Sequence, residues 1–320
     1  MPKKSRVISL VLLLAFTVFF ALYIRDHFSE FVNVSEVSAR YLLAIGSVSL
    51  AGFVVNGLFL KVLLARFGIE IDFMEHFSLS IVTSFGNIFL PMKGGAGIRA
   101  VYLKSKYNFD YSYFVASLAG NYLVCFGVTG MAALGGMGFY WASAGFFSVP
   151  AALVFFSITA GALWAILRPP RTADWIPLRR AKDLANQMLA GWHIVRESSR
   201  TVLQLLGLTT LNMVLGSVTV WLEFAAFGMK DIHGSPIGLA QSAVFSAISG
   251  FSIFVGLTPA ALGVRESVLM FSSEILGITP LQALAVSLLD RTLSFLVLAI
   301  FFAFASLHIK KRLRAKAPVI

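Results

Sequence analysis

Long apolar runs separated by short polar loops make up most of this chain. A run of about 20 apolar residues is long enough to cross a bilayer as an α-helix. The pattern therefore predicts an all-α polytopic membrane protein with about six full spans, each built on one such run. The predicted spans are residues 7–24, 41–65, 111–137, 146–167, 202–227 and 281–307.

Two other hydrophobic segments, residues 74–106 and 236–276, are interrupted by proline and glycine. A break of this kind frees backbone groups that hydrocarbon cannot satisfy, so it must be buried in protein or face a wet cavity. We predict that each segment is a re-entrant helical hairpin, which enters and leaves the membrane on the same side. The predicted hinge residues are Pro91, Gly94, Gly95, Gly97, Pro259 and Gly263.

The two interrupted segments share a short pattern that indicates an internal repeat. Pro91-x-x-x-Gly95 matches Pro259-x-x-x-Gly263 at an offset of 168 residues, and the motif SLAGNYL parallels SLLDRTL at an offset of 170 residues. Three predicted spans lie between the hairpins, and this odd number makes the second copy an inverted repeat of the first. Chance matching between two apolar stretches is the alternative explanation.

These elements predict one membrane domain that covers residues 1–320. It is divided into a first half, a connecting span with a cytoplasmic amphipathic arm, a second half and a basic tail. The corresponding ranges are residues 1–140, 141–201, 202–308 and 309–320.

Composition agrees with a membrane protein. Hydrophobic residues make up 58% of the chain and charged residues 13%, and the mean hydropathy of +0.83 excludes an ordinary soluble domain. The formal net charge is +11. In a soluble protein this charge would suggest a nucleic-acid partner, but here it suits the anionic inner leaflet of a membrane. We therefore expect membrane lipids as partners and no nucleic acid.

The cations also predict an orientation. If both interrupted segments are re-entrant, 21 of the 26 Lys and Arg residues lie on the cytoplasmic side and three lie outside. The alternative, in which only the first segment crosses fully, moves seven cations of residues 168–200 outside and violates the positive-inside rule. The predicted location is therefore the cell (inner) membrane, multi-pass, with both termini in the cytoplasm.

Ionisable side chains at membrane depth point to a binding site. Each costs about 2.5–3.5 kcal/mol to insert and so requires a reason. Arg99 and Arg265 follow the two breaks at similar places, and a guanidinium group binds phosphate with two parallel hydrogen bonds. We predict a substrate cavity for an anionic headgroup, and a purely structural role in snorkelling or ion pairing is the alternative. The other predicted binding residues are Lys93, Asn87, Asn121, Glu266, Asp290 and Arg291.

Asp290 and Arg291 are neighbours in the last predicted span. Adjacent helix positions point about 100° apart, so the two side chains cannot face each other. We expect Asp290 to pair with Arg265, and Arg291 to pair with Glu266 or Glu223.

Three motifs, LPMKGGAGIRAVYLK, TPAALGVRES and SLLDRTLSFL, resemble the lysylphosphatidylglycerol synthase transmembrane family. This family includes the flippase half of the multiple peptide resistance factor, and the resemblance covers about residues 7–307 without the synthase domain. Many members have Gly-Glu where this chain has Gly95-Ala96, and Glu-Arg where it has Gly120-Asn121. The resemblance implies a flippase-like membrane domain that handles lipids.

The sequence contains no nucleophile–base pair, no P-loop and no metal-ligand spacing among its five histidines. We therefore expect no catalytic site, no cofactor and no metal. The predicted function is a flippase or transporter that moves an anionic or lipid-linked amphiphile between leaflets in cell-envelope lipid metabolism. The alternatives are a membrane-embedded transferase for a lipid-linked sugar or phosphate, and an accessory subunit of an envelope glycosyltransferase. A second copy of the chain or an envelope-biosynthesis enzyme is the expected protein partner.

Overall fold

The structure, a computed structural model, describes residues 37–90, 94–145, 147–167, 172, 174, 176–177, 179–255, 261 and 263–314. The predicted first span, together with Pro91, Lys93 and Pro259, lies outside the described residues. The described part of the chain consists of α-helices and short 3-10 turns without a strand. This confirms the predicted all-α fold.

Ten α-helices are present in the described ranges, and we number them in chain order. They are α1 (Ala39–Ala65), α2 (Phe73–Phe89), α3 (Gly95–Tyr107), α4 (Tyr111–Ala144), α5 (Val149–Leu167), α6 (Arg179–Arg196), α7 (Ser199–Ala226), α8 (Leu239–Val255), α9 (Val264–Phe271) and α10 (Pro280–Arg314). A 3-10 turn, Ser273–Leu276, follows α9.

Five of these helices are long and apolar enough to cross a membrane: α1, α4, α5, α7 and α10. They coincide with five of the six predicted spans, although α4 and α10 run past the predicted ends. Large apolar side chains remain exposed on them, for example Phe156 and Trp164 on α5. In a soluble protein such a surface would aggregate, and in a bilayer it faces lipid. The chain is a multi-pass membrane protein.

The first interrupted segment folds back on itself. Residues 90–94 separate α2 from α3, and Gly95 approaches α2 so closely that a Cβ atom there would lie 2.0 Å from the carbonyl oxygen of Thr83. At the other end of the pair, Lys106 Nζ lies 2.9 Å from both carboxylate oxygens of Glu75. The two ends of the segment are therefore on the same side of the molecule.

The second interrupted segment also returns to its starting point. Gln241 Nε2, at the start of α8, donates to the carbonyl oxygen of Leu276 at 2.9 Å. Near the break, Ala261 and Gly263 have left-handed backbone angles, with φ of 55° and 78°. Such angles suit glycine and are unusual for alanine, and they turn the chain sharply before α9.

Helices α1 and α7, the first long helices of the two predicted halves, run in opposite directions. Helix α1 packs along α7, and Ile45 near the start of α1 lies in one cluster with Leu222 near the end of α7. At the other end of the pair, Leu63 of α1 clusters with Leu205 of α7. These two helices are therefore antiparallel, and the inverted repeat stays a prediction.

Packing between the halves is reciprocal. The last long helix of each half lies against the first hairpin helix of the other half. Phe302 of α10 stacks on Phe85 of α2, with ring centroids 4.0 Å apart. In the other such contact, Phe126 of α4 stacks on Phe251 of α8, with ring centroids 5.6 Å apart. Each hairpin is thus held by the opposite half.

Positive charge is concentrated at one end of the molecule. There, Arg66 donates to the carbonyl oxygen of Ile194 at 2.9 Å, and Arg312 pairs with Asp72. The described cations near this end are Lys61, Arg66, Lys104, Lys106, Arg179, Lys182, Arg196, Arg200, Lys310, Lys311, Arg312 and Arg314. On the elements at the opposite end, the described cations are Arg40 and Lys230.

Gly95 and Gly97 lie in the first turn of α3 rather than between the helices, and they offer a matched pair of substitutions. Gly95→Ala would force a Cβ atom into the backbone of α2, whereas Gly97 has no neighbour within 4 Å of its Cβ position. We expect Gly95→Ala to lower the free energy of unfolding by about 1–3 kcal/mol, and Gly97→Ala to be neutral or slightly stabilising. Thermal unfolding in detergent measures both, and equal midpoints would contradict the packing of this hairpin.

Candidate functional site

A polar cavity of about 440 Å³ opens between the two hairpins and helices α1, α4 and α10. It brings together six of the eight predicted binding residues: Asn87, Arg99, Asn121, Arg265, Asp290 and Arg291. Lys93 lies outside the described residues. Glu266 does not line the cavity and lies behind it, where it is buried.

Four charged side chains on α9 and α10 form two crossed ion pairs. Arg265 of α9 pairs with Asp290 of α10, and Arg291 Nη2 lies 2.6 Å from Glu266 Oε1. The side chains of adjacent residues on one helix point in different directions, so each charged group pairs with a residue on the facing helix. Both expected pairings of the last span are confirmed, and Arg291 pairs with Glu266. We call these four residues the charge quartet.

Glu266 has a mainly structural role within the quartet. Its Oε2 accepts a hydrogen bond from the backbone N–H of Gly263 at 2.9 Å, which caps the start of α9. Its Oε1 accepts from Arg291 and from the Ser287 hydroxyl at 3.3 Å. Both carboxylate oxygens are therefore in use, and Glu266 fixes Arg291 rather than facing the cavity.

Arg99 has no acidic partner among the described residues. Its Cζ atom lies 5.6 Å from the centre of the Phe114 ring, and its buried Nε makes no hydrogen bond within the described part of the chain. The five N–H donors of the Arg99 guanidinium group therefore bind no acidic side chain in the described part of the chain. An ionisable side chain at membrane depth without an acidic partner is costly, which makes Arg99 a candidate binding residue.

Neutral polar groups lie between apolar side chains in the cavity wall around Arg99. Besides Asn87 and Asn121, the cavity is lined by Asn56, Ser80, Thr83 and Ser84. The sequence analysis did not single out these four residues, because an amide or hydroxyl within an apolar run is usually a contact between helices. One feature of the sequence could have indicated this polar wall, namely that Asn56 lies in the middle of a predicted span.

The two hairpins differ in the polar contacts that join their open ends. In the first hairpin, the buried carboxylate of Glu75 accepts hydrogen bonds from Tyr102 and Tyr107, both at 2.7 Å, and binds Lys106. In the described part of the second hairpin, a neutral hydrogen bond between Gln241 and Leu276 joins the corresponding ends. Sequence reasoning missed Glu75, since an acid at a helix start is usually a solvated end residue.

Comparison with known proteins agrees with the membrane architecture. The family model described as "Lysylphosphatidylglycerol synthase TM region" matches residues 6–301. The search of curated proteins gives no match.

Proposed function

Because this chain belongs to the lysylphosphatidylglycerol synthase transmembrane family, we propose that it is a flippase-like transporter in cell-envelope lipid metabolism. It moves an amphiphile with an anionic headgroup between the two leaflets. The observation that carries this proposal is Arg99, an arginine without an acidic partner in the described residues, which faces a polar cavity among membrane-spanning helices.

The cavity suits a headgroup in size and chemistry. Its volume of about 440 Å³ lies within the range of about 300–1,000 Å³ that holds small ligands. Arg99 supplies charge-assisted hydrogen bonds to a phosphate, and the neutral amide and hydroxyl groups satisfy the remaining polar atoms. The acyl or prenyl tails stay in the surrounding lipid, which avoids burying them in protein.

Alternating access follows from the hairpin arrangement. The headgroup binds between two interrupted helical segments that come from opposite halves, which is the usual position of a transporter site. Rocking of one half against the other opens the cavity first to one leaflet and then to the other.

For the orientation, we place the cation-rich end in the cytoplasm of the cell (inner) membrane. The positive-inside rule supports this placement, because the elements at that end carry most of the described Lys and Arg residues. With the predicted span of residues 7–24 crossing the membrane once before α1, both chain termini are then cytoplasmic.

Translocation in proteoliposomes tests the function. Purified protein is reconstituted with phosphatidylglycerol that carries a fluorescent tail, and an impermeant quencher reports the label that reaches the outer leaflet. We expect transfer above that of protein-free vesicles, with or without an imposed proton gradient. Absence of transfer under both conditions would contradict the proposal. Turnover of the headgroup without transfer would favour a transferase, and neither activity with a co-purifying glycosyltransferase would favour an accessory subunit.

A further inference from the structure

We infer that the cavity selects a headgroup with one net negative charge, a phosphodiester such as that of phosphatidylglycerol, over zwitterionic and doubly charged headgroups. This inference rests on the proposed function and specifies its substrate class. It follows from the balance of charges around the cavity and from the kind of polar group that lines the rest of the wall.

The charge quartet balances itself. Arg265 is neutralised by Asp290 and Arg291 by Glu266, through direct contacts between α9 and α10. These pairs leave no net charge on the side of the cavity built by the second half. A ligand that competed for either arginine would leave a buried acid unpaired, which is strongly unfavourable.

Arg99 is therefore the one uncompensated charge among the described residues that line the cavity. Glu223 of α7 does not line the cavity, and its carboxyl group is fully buried with no hydrogen bond to either oxygen within the described part of the chain. A carboxyl group in such surroundings is retained in its neutral form, so it adds no charge to this balance. One monoanion at Arg99 completes the balance. A second negative charge on the ligand would have no cation left to face it within the described part of the site.

The first half cannot supply an acid where the second half has one. In the repeat, Gly120 of α4 corresponds to Asp290 of α10. A Cβ atom at Gly120 would lie 2.5 Å from Cε3 of Trp192, which α6 packs against it. A side chain at this position would therefore require Trp192 to move, and the neighbouring Asn121 presents a neutral amide to the cavity.

This arrangement also disfavours an ammonium group. A zwitterionic headgroup brings a cation together with its phosphate, and that cation requires a carboxylate acceptor. The one carboxylate that lines the described cavity belongs to Asp290, and it already forms an ion pair with Arg265. Amide and hydroxyl groups instead match the hydroxyl groups of a polyol headgroup.

Displacement of a fluorescent short-chain phosphatidylglycerol from the full-length protein in detergent tests the inference. The competitors are dioctanoyl lipids with phosphatidylglycerol, phosphatidylethanolamine or phosphatidic acid headgroups, and inorganic phosphate. Phosphatidic acid is a phosphomonoester that ionises a second time near neutral pH, so at pH 8 it presents the double charge. We expect phosphatidylglycerol to compete at a concentration about tenfold lower than the other two lipids, since a charge-assisted hydrogen bond has this order of effect.

Asn121→Asp adds the missing carboxylate with almost no change in shape. We expect it to remove or reverse the preference for phosphatidylglycerol over phosphatidylethanolamine. The matched control is Asn212→Asp on α7, beside Gly52 and outside the cavity lining, which keeps the preference. If Asn121→Asp does not fold, as judged by thermal unfolding, Arg99→Gln replaces it, and the affinities for the two lipids then become equal.

Equal competition by the three lipids would overturn the charge selection, and so would an unchanged preference in folded Asn121→Asp or Arg99→Gln protein. Displacement by inorganic phosphate as effective as that by phosphatidylglycerol would assign the site to a free anion and would also overturn it. If the wild-type protein still translocates lipid in vesicles while showing no charge preference, the inference fails and the proposed function stands. If it neither binds nor translocates any lipid, both fail.

Discussion

Arg99→Gln is expected to lower the rate of lipid translocation in proteoliposomes by about tenfold or more. The substitution removes the charge but keeps hydrogen-bonding ability at the cavity wall. Hydrogen bonds to charged groups contribute about 1.5–3 kcal/mol, which corresponds to roughly 10–150-fold in binding. Since Arg99 has no acidic partner among the described residues, its loss strands no carboxylate there, and we expect the thermal unfolding midpoint to remain close to that of the wild type.

Arg196→Gln is the matched control for this experiment. It removes the same charge from an exposed residue at the end of α6, away from the cavity, and translocation should be retained. If Arg99→Gln transported lipid at the wild-type rate while folding normally, the headgroup would have to bind elsewhere. A large fall in its unfolding midpoint would instead assign Arg99 a structural role.

Arg265→Gln is expected to destabilise the protein by about 3–5 kcal/mol, because it leaves the Asp290 carboxylate without its cation in a mostly buried site. The double variant Arg265→Gln/Asp290→Asn removes both charges and should recover most of this loss. Unfolding of both single variants and the double variant gives a double-mutant cycle. The coupling between the two sites should be large and favourable in the native pair.

Translocation by the double variant separates the two roles of Arg265. If the charge quartet positions the second hairpin and Arg99 binds the headgroup, the double variant, with its stability restored, should retain transport. If the losses in unfolding free energy of the two single variants simply add in the double variant, Arg265 and Asp290 do not form the ion pair seen in the structure. A stable but inactive double variant would mean that Arg265 itself binds the headgroup.

Much of the fold follows from the sequence because the bilayer leaves few choices. A long apolar run in lipid must be a helix, so the spans with described structure were predicted correctly to within a few residues at most ends. The charge quartet was also predictable. Two opposite charges in adjacent helix positions cannot pair, and few other ionisable groups were near enough in the predicted topology to pair with Asp290 and Arg291.

The neutral wall of the cavity and the fastening of the first hairpin were not predictable in this way. Glu75 and Lys106 are 31 residues apart, and their contact depends on how α2 and α3 are aligned in the hairpin. That alignment is set by the close approach of Gly95 to α2, which is a matter of packing in three dimensions. In the same way, Asn56 and Thr83 belong to the cavity only because α1 and α2 turn those faces toward it.

The antiparallel pairing of α1 with α7 carries a consequence for the history of the chain. If the halves descend from one duplicated ancestor, equivalent loops now face opposite compartments and come under opposite selection for charge. The end of α3 has become basic through Lys104 and Lys106, whereas the turn after α9 carries Glu274. Divergence of this kind would erase similarity in the loops first, and the motifs that still match would be the short ones near the centre of the membrane.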